Sequence, residues 1–410
     1  MTAPRRGPVG LWLPVQGAEV PDARLREGVF QPNPLPLDLV LDSRIHSLLA
    51  RAEQGLGRVD ESARRLPEPI SLMRATQVRE AQRSASVDDM YSALREVFVA
   101  DLNTARAGWS KIPMLSGYLN ASKRGYDAVR EGAAIDVKLL ADMSRDLDGA
   151  GDVRSDADLA AEQHDIPWRD GPGWLGGPTI DEAYLLTSPP GQATWQALDQ
   201  FVAWNTADCA LPLVGKLALG YLHLTLVQPF KAGNGHLARL YVGLELMRVG
   251  VLRNQLLPIS AWLDDHQEDH RAQILQFVHT GDFSEWIKFF ATGIDTVSMN
   301  QVRLVEQLED ARAALLAKLD RHAKNGRATG LIRDVAAGFV VAPITNHRQI
   351  ADRHDLHQST AINMANRLTR AGIVENIGNE KYGKIFMAKE IMRVLSRASF
   401  APANDDDVFE

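Results

Sequence analysis

The feature that most constrains the fold is a run of apolar residues over 211–227, which is hydrophobic on almost every side of a helix. Such a helix has no polar face to expose to water, so it belongs at the centre of a domain. A second run with the apolar spacing of a helix covers residues 237–249. We therefore expect two consecutive core helices, with the rest of the chain packed around them.

The segment between these two helices has the residues of a tight turn. Gly233 and Gly235 flank Asn234, and both residue types adopt the positive φ angles that tight turns require. The first N–H groups of the second helix have no partner inside that helix, and together with the helix dipole they attract an anion. The turn is therefore a candidate phosphate-binding loop, with simple helix caps as the alternative interpretation.

Around this turn, residues 228–239 read Gln-Pro-Phe-Lys-Ala-Gly-Asn-Gly-His-Leu-Ala-Arg. The segment resembles the signature of the Fic/Doc family, His-x-Phe-x-(Asp/Glu)-Gly-Asn-Gly-(Arg/Lys)-x-x-Arg. The matching residues are Phe230, Gly233, Asn234, Gly235 and Arg239. The resemblance covers roughly residues 30–390. It implies a mainly α fold with a Fic-type helical core, ATP as the ligand, and phosphate binding by these residues together with His236.

Three functional positions of the signature are replaced in this chain. Gln228 stands where the family has the His that acts as general base, and an amide has no proton affinity near neutral pH. Ala232 replaces the acidic residue that binds a metal ion, so we expect no metal ligand and no firm role for Mg²⁺. His236 replaces the first basic residue and binds phosphate more weakly than Arg does.

These replacements lead to two hypotheses about function. The resemblance implies transfer of AMP from ATP to a hydroxyl of a target protein, and the lost groups predict that this transfer is impaired. The first hypothesis is therefore a regulatory module that binds a nucleotide or phosphate. The alternative is an active, divergent transferase that moves AMP, or another phosphate-containing group, with His236 or His223 as its base.

A second point of resemblance lies within residues 79–94. Many Fic proteins with an N-terminal helical region carry Ser-x-x-x-Glu-(Gly/Asn), whose Glu pairs with an arginine of the signature and blocks nucleotide placement. Ser84 matches the Ser, Asp88 takes the Glu position and Asp89 takes the Gly position. The resemblance implies Arg239 as the partner of Asp88. Residues 86–89 equally fit the N-cap of a helix over 90–99.

A hairpin is predicted before the core helices. Residues 148–192 are rich in Gly, Pro and Asp, and within them residues 174–186 have two apolar arms around a polar turn. In the Fic family a β-hairpin flap at this place aligns a target protein by strand addition, so the resemblance implies a protein partner at the flap. An ordinary surface hairpin is the alternative.

The sequence pattern of the last module, residues 336–400, predicts a winged helix-turn-helix. Its second helix would pack Ala361, Ile362, Ala365 and Leu368 on one apolar face. The DNA-contact candidates on the exposed face are Ser359, Thr360, Asn363, Arg367 and Arg370. Residues 341–400 hold nine Lys or Arg and five Asp or Glu, whereas the whole chain has a net charge of −7. This balance favours DNA contact modestly, and a protein-binding winged helix is the alternative.

The patterns divide the chain into an N-terminal helical region with an inhibitory-like helix (1–130), a Fic core (131–300), a linker helix (301–335), the winged helix (336–400) and an acidic tail (401–410). Residues 1–37 are rich in Pro and Gly and should be extended. The sequence has neither a membrane-length apolar run nor an apparent signal peptide, and its single cysteine fits a reducing compartment. We expect a cytoplasmic protein without a membrane partner, and the resemblance implies a homodimer.

Overall fold

The computed structural model describes residues 5–14, 28–64, 69–103, 113–148, 166–177, 179–323, 330–378 and 384–397. Its helices are α1 (Ser43–Ala63), α2 (Pro69–Val87), α3 (Leu94–Asn103), α4 (Pro113–Arg130), α5 (Val137–Asp148), α6 (Gln192–Thr206), α7 (Leu213–Val227), α8 (Asn234–Arg248), α9 (Ile259–Asp265), α10 (Gln267–Thr280), α11 (Phe283–Arg321), α12 (Leu331–Ala337), α13 (His347–Arg353), α14 (Gln358–Arg370) and α15 (Lys389–Arg397). The fold is mainly α, as the sequence predicts.

The strands are short and form two separate sheets. They are β1 (Arg5–Arg6), β2 (Gly10–Leu13), β3 (Val29–Pro32), β4 (Gly173–Gly176), β5 (Ala183–Thr187), β6 (Ile344–Asn346), β7 (Glu375–Asn376) and β8 (Ile385–Met387). The first sheet has the order β1-β2-β3-β5-β4, and the second has the order β6-β8-β7. The predicted hairpin is therefore present as β4 and β5, which pair antiparallel.

The two predicted core helices are α7 and α8, and they lie at the centre of the fold. Almost every side chain of α7 is buried, as a helix without a polar face requires. The two helices approach closely at Gly220, where a Cβ would lie 2.4 Å from the hydroxyl oxygen of Tyr241. The carboxylate of Glu53 accepts a hydrogen bond from the N–H of Val214, which satisfies a donor in the first turn of α7.

Helix α2 is fastened across α9 and α11 by buried polar contacts. The carboxylate of Glu80 accepts hydrogen bonds from the hydroxyl and the N–H of Ser260, at 2.6 and 3.1 Å. The amide of Gln301 donates to the hydroxyl of Thr76 at 2.6 Å. Buried polar groups that satisfy each other fix the relative position of the elements that carry them. The C-terminal end of α2 is thereby held in place beside α8.

The residues after α2 correct one interpretation of the sequence. Residues 86–89 do not cap a helix over 90–99, because α2 continues to Val87 and the next helix starts only at Leu94. The N–H of Asp88 donates to the carbonyl of Ala85, and Asp89 has a φ of 61°. These are features of a helix C-terminus. The acids follow one helix rather than precede another.

The first sheet contains strands that the sequence analysis missed. Residues 1–37 were expected to be extended, but β3 pairs parallel with β5 and so connects the N-terminal segment to the hairpin. Trp12 on β2 packs edge-on against Phe30 on β3, with ring centroids 5.2 Å apart. Pro and Gly concealed this pairing in the sequence, because the segment has little of the alternation that marks a strand.

The C-terminal module has the order of elements that a winged helix has. Helices α13 and α14 are followed by β7 and β8, and β8 also pairs with β6. Ala361, Ala365 and Leu368 are buried on one face of α14, but Ile362 is 39% exposed and does not belong to that face. Residues 379–383 of the predicted wing and the acidic tail 401–410 lie outside the described residues.

Helix α11 crosses residue 300, where the sequence analysis places the boundary between core and linker. This helix contacts α1 and α7 in the core. It also contacts α12 and α15 of the C-terminal module. The core and the C-terminal module are thus joined by one continuous helix.

None of the helices described for this chain combines the length and the apolar character that crossing a membrane would need.

Candidate functional site

The glycine-rich loop is fixed by its own asparagine. The side chain of Asn234 accepts a hydrogen bond from the N–H of Phe230 at 3.0 Å and donates one to the carbonyl of Phe230 at 2.8 Å. Gly233 has a φ of 72°, and a Cβ there would lie 2.6 Å from the Cβ of Leu147. The loop therefore needs glycine at this position. It places at the site the start of α8, where the first N–H groups of a helix have no carbonyl partner within that helix.

The position of the family's metal ligand does not fit a metal ion. Ala232 has only a methyl group, and its carbonyl already accepts a hydrogen bond from the hydroxyl of Ser144 at 3.1 Å. The carboxylate that lies in the site belongs to Asp88, which is paired with Arg239 at 2.6 Å. Hard cations such as Mg²⁺ require several oxygen ligands. These residues therefore do not provide a divalent-cation site.

Phe230 anchors the loop to the protein interior. Its side chain is fully buried and lies nearly parallel to Trp168, with ring centroids 5.8 Å apart. The next residue, Lys231, is exposed, and its N–H donates to the carbonyl of Pro167 at 3.0 Å. The segment around 167–169 thus supports the loop through both backbone and aromatic contacts.

Gln228, at the position of the family's general base, makes a structural contact with the flap. It ends α7 in the left-handed region, with φ 42° and ψ 64°. Its Oε1 accepts a hydrogen bond from the N–H of Trp174 on β4 at 3.1 Å. An amide oxygen can accept a hydrogen bond but cannot take up a proton near neutral pH. The side chain joins the flap to the loop and offers no base.

Arg169 is a structural residue of the site that the sequence analysis missed. Its guanidinium donates to the carbonyls of Val227, Gln228, Ser188 and Gly171 and to the hydroxyl of Thr194. Burial lowers the pKa of Arg169 to about 10, so it stays charged at neutral pH. It holds together the end of α7, the base of the flap and the start of α6. Its only signal in the sequence is a charge in a Gly- and Pro-rich loop.

At the other end of the loop, Arg239 is buried and fully engaged. Its guanidinium donates to the hydroxyl of Ser84 at 2.6 Å, to the carbonyl of Ser84 at 2.9 Å, and to the carboxylate of Asp88 at 2.6 Å. Burial raises the pKa of Asp88, but Arg239 and His236 outweigh it, so the pKa lies below its usual value. The structure thus brings Ser84, Asp88 and Arg239 together, as the family resemblance implies.

His236 shares this cluster as a neutral residue. Its Nδ1 lies 2.8 Å from the hydroxyl of Ser84 and 3.0 Å from Nη2 of Arg239. Because a guanidinium only donates, Nδ1 must be the acceptor, and the ring proton must reside on Nε2, 3.4 Å from the carboxylate of Asp88. Burial lowers the pKa of His236 to about 4. Its accepting nitrogen is already occupied, which argues against a role as general base.

The other histidine considered as a base lies in the core. His223 stacks on Phe201 with ring centroids 5.9 Å apart, and its Nε2 lies 3.4 Å from the carbonyl of Ala197. Burial lowers its pKa to about 4. These contacts are with α6 and place the ring in the hydrophobic core.

Tyr221 and His270 extend the cluster behind Arg239. The hydroxyl of Tyr221 lies 3.1 Å from Nε2 of His270. Burial raises the pKa of Tyr221 to about 12, while burial and the charge of Arg239 lower the pKa of His270 to about 3. Both rings are neutral at pH 7. Tyr221 was missed because it belongs to the apolar run of α7, where only its hydroxyl suggested a polar role.

The DNA-contact candidates lie in the C-terminal module. Ser359, Asn363, Arg367 and Arg370 are exposed on α14, and Thr360 is half-buried. They lie opposite the face that is packed on the module's own core. His357 caps the helix by accepting a hydrogen bond from the N–H of Ser359, and its Nδ1 lies 2.8 Å from the Ser359 hydroxyl.

Comparison with known proteins finds one family model and several solved structures that resemble this chain. Residues 46–127 match the family model described as Fic/DOC family N-terminal. The crystal structure of a Fic family protein from Desulfovibrio desulfuricans G20 is similar over 86% of this chain and 98% of its own, with 17% identity and a TM-score of 0.54. The match over residues 46–127 and the similarity of the fold thus relate this chain to Fic proteins. At this identity the similarity of the structures establishes the fold alone.

Two further solved structures resemble this chain with lower TM-scores. Fic-1 from C. elegans has 16% identity and a TM-score of 0.47, covering 64% of this chain and 73% of that one. A Fic domain-containing signaling protein from Bacteroides thetaiotaomicron has 14% identity and a TM-score of 0.41, covering 64% and 95%. Both scores lie below 0.5, so these likenesses do not bear on the fold. No curated protein sequence matches the chain.

Proposed function

We propose that this chain is a regulatory Fic-domain protein whose loop at 228–239 binds a nucleotide or another phosphate-bearing ligand, with impaired AMP transfer. The observation that carries the proposal is the contact of Gln228 with the backbone of Trp174. The group at the base position can accept a hydrogen bond but not a proton. Loss of a general base alone costs about two to four orders of magnitude in rate.

The loop keeps the features that bind phosphate. The start of α8 presents N–H groups without helical partners, and the helix dipole attracts an anion there. Arg239 supplies the positive charge, but it is occupied by Asp88. A phosphate that binds Arg239 must therefore displace the carboxylate of Asp88 from it. Because Asp88 follows α2 directly, ligand binding is coupled to the end of that helix, and this coupling is the proposed route to regulation.

The test of impaired transfer uses ATP labelled at its α-phosphate, with Mg²⁺ or Mn²⁺. We expect no labelled protein from the chain alone or from a cell extract, whereas calorimetry detects ATP binding that weakens in Arg239→Ala. Labelling of the native protein that disappears in Arg239→Ala would establish the alternative, an active divergent transferase. Restoring His, Glu and Arg at positions 228, 232 and 236 asks whether the scaffold is otherwise competent.

We further propose that α14 contacts DNA and that the flap docks a target protein. The support for DNA contact is the exposed polar face of α14, which carries Arg367 and Arg370. The test is binding to upstream duplex DNA at several salt concentrations. Affinity should fall steeply with salt and decrease in Arg367→Ala, but not in Arg44→Ala, which removes an exposed arginine of α1. Unchanged binding after removal of residues 341–400 would refute the role of this module.

A further inference from the structure

Among the residues that the structure describes, no strand pairs with the outer edge of the flap. The strand order is β1-β2-β3-β5-β4, which places β4 last. In an antiparallel pair, alternate residues direct their N–H and C=O groups toward the partner strand and away from it. Gly173 and Leu175 stand opposite Thr187 and Leu185 of β5. Because the N–H of Trp174 donates to the side chain of Gln228, it points away from β5 and toward the outer edge of β4.

Gln228 occupies this edge with a chemical group that a docking strand would also use. A strand that adds to β4 must place a backbone carbonyl on the N–H of Trp174. The side-chain amide of Gln228 places its own carbonyl there, at 3.1 Å. The amide carbonyl of a glutamine side chain and the carbonyl of a peptide bond are nearly the same acceptor.

The surroundings of Gln228 are built for this contact. A Cβ at Gly173 would lie 3.0 Å from Oε1 and 3.1 Å from Cβ of Gln228, so the side chain lies directly on the strand backbone. The φ of 42° at Gln228 is unusual for a residue other than glycine. Arg169 donates to the carbonyl of Gln228 and so helps to hold the backbone in this conformation.

We propose that Gln228 mimics the backbone carbonyl of a docking peptide, so that an extended peptide adds to β4 only when the Gln228 side chain leaves Trp174. Gln228 then controls the access of a target peptide to β4. This role is separate from the absence of a general base at position 228. The inference rests on the proposed docking role of the flap. It is independent of nucleotide binding by the loop and of DNA binding by α14.

The first test measures hydrogen exchange at the Trp174 amide. In the native protein this amide is protected by Gln228, and Gln228→Ala should speed its exchange by about three- to tenfold, the usual range for one hydrogen bond. Gln228→Glu retains an acceptor and should restore protection. The matched control is Gln276→Ala, which removes an exposed glutamine of α10. Unchanged exchange at Trp174 in Gln228→Ala would overturn the proposal.

The second test measures docking itself. The probe is a fluorescein-labelled peptide of alternating Thr and Val flanked by Lys, and its binding is followed by fluorescence anisotropy. We expect about three- to tenfold tighter binding to Gln228→Ala than to the native protein. Backbone N-methylation of the peptide should abolish binding, because it removes the donors that a strand uses.

The outcomes separate the two levels of the proposal. Equal affinity for the native protein and Gln228→Ala would overturn the role of Gln228, even if N-methylation shows that the flap docks strands. Absence of binding to both proteins, or binding that survives N-methylation, would overturn the docking role on which the inference rests. Thermal melts of all variants show whether each protein is folded.

Discussion

The two ends of the segment 228–239 use different chemistry to hold the same loop. At the first end, Gln228 is neutral, and its contacts are with the backbone of the flap and with Arg169. At the other end, Arg239 belongs to a buried ionic cluster with Asp88 and His236. The first end has exchanged a catalytic group for a structural contact. The second keeps the family's charge but satisfies it internally.

This difference explains why the two ends should respond differently to mutation. Three acceptors of Arg169, the carbonyls of Ser188 and Val227 and the hydroxyl of Thr194, are buried and cannot be rehydrated without opening the structure when their donor is removed. The carboxylate of Asp88 is 36% exposed, so it can regain water when Arg239 is taken from it. We therefore expect the first end to determine the stability of the site and the second to determine the affinity for the proposed anionic ligand.

The largest expected effect is at Arg169. Replacing it with Ala leaves five acceptors without their donor, three of them buried, and we expect a loss of about 3–4 kcal/mol in the free energy of unfolding. Urea unfolding measures this loss. Arg44→Ala, the exposed control, should change stability by less than about 0.5 kcal/mol. A loss below about 1 kcal/mol in Arg169→Ala would mean that water replaces the guanidinium, and the contrast between the ends would fail.

The next effect is a pH dependence that belongs to the Arg239 end. His236 has a folded pKa of about 4, below the ordinary value of 6.5. As pH falls from 6.5 toward 4, the unfolded chain takes up a proton that the folded protein refuses, so stability falls with pH over this window. His236→Asn should remove part of this fall, on the order of 1–3 kcal/mol between pH 7 and pH 4.

Urea unfolding at a series of pH values tests this expectation. Gln228→Ala should leave the slope with pH unchanged, because the amide does not titrate. His46→Asn, at an exposed position on α1, is the control for the loss of a histidine. A slope that is the same in His236→Asn and the native protein would show that His236 is protonated or hydrated in the folded state.

The contacts at the two ends of the segment could be predicted from the sequence to different extents. Ser84, Asp88 and Arg239 were predicted together, because each lies in a motif with fixed spacing. The role of Gln228 was not predicted, since its partner on β4 is set by tertiary structure rather than by spacing. Arg169 was missed for the same reason: its acceptors lie in three separate segments, at residue 171, residues 188–194 and residues 227–228.

The fold shows a similar division. The core helices followed from hydrophobic patterns, which reflect burial directly. The sheet that joins residues 5–32 to the flap did not, because pairing between distant short strands leaves little trace in local sequence. The predicted burial of Ile362 was wrong. Periodicity alone does not show whether a single apolar residue at the side of a buried stripe is itself buried.

Removal of the Asp88 carboxylate should have a smaller effect, lowering the stability of the protein but raising its affinity for ATP. Asp88→Ala removes the partner of Arg239 and should cost about 1 kcal/mol of stability, a modest value because Asp88 is partly exposed. The freed guanidinium should raise the affinity for ATP about tenfold, measured by calorimetry. Asp89→Asn removes the same charge next to it and should alter neither quantity comparably. Lower affinity in Asp88→Ala would show that Arg239 needs Asp88 for its position.

The smallest effect concerns backbone strain at the two ends. Asp89, which follows the Asp88 partner of Arg239, and Gln228 beside the flap both have positive φ, at 61° and 42°. Asp89→Gly should stabilise the protein by roughly 0.5–1 kcal/mol, because glycine adopts this conformation without steric cost. Gln228→Gly gains the same relief but loses the hydrogen bond to Trp174, so its net change should be close to zero. Paired urea unfolding curves measure the difference. Equal stabilisation by both substitutions would show that the Gln228 contact adds nothing to stability, and that its effect is confined to the access of a docking strand.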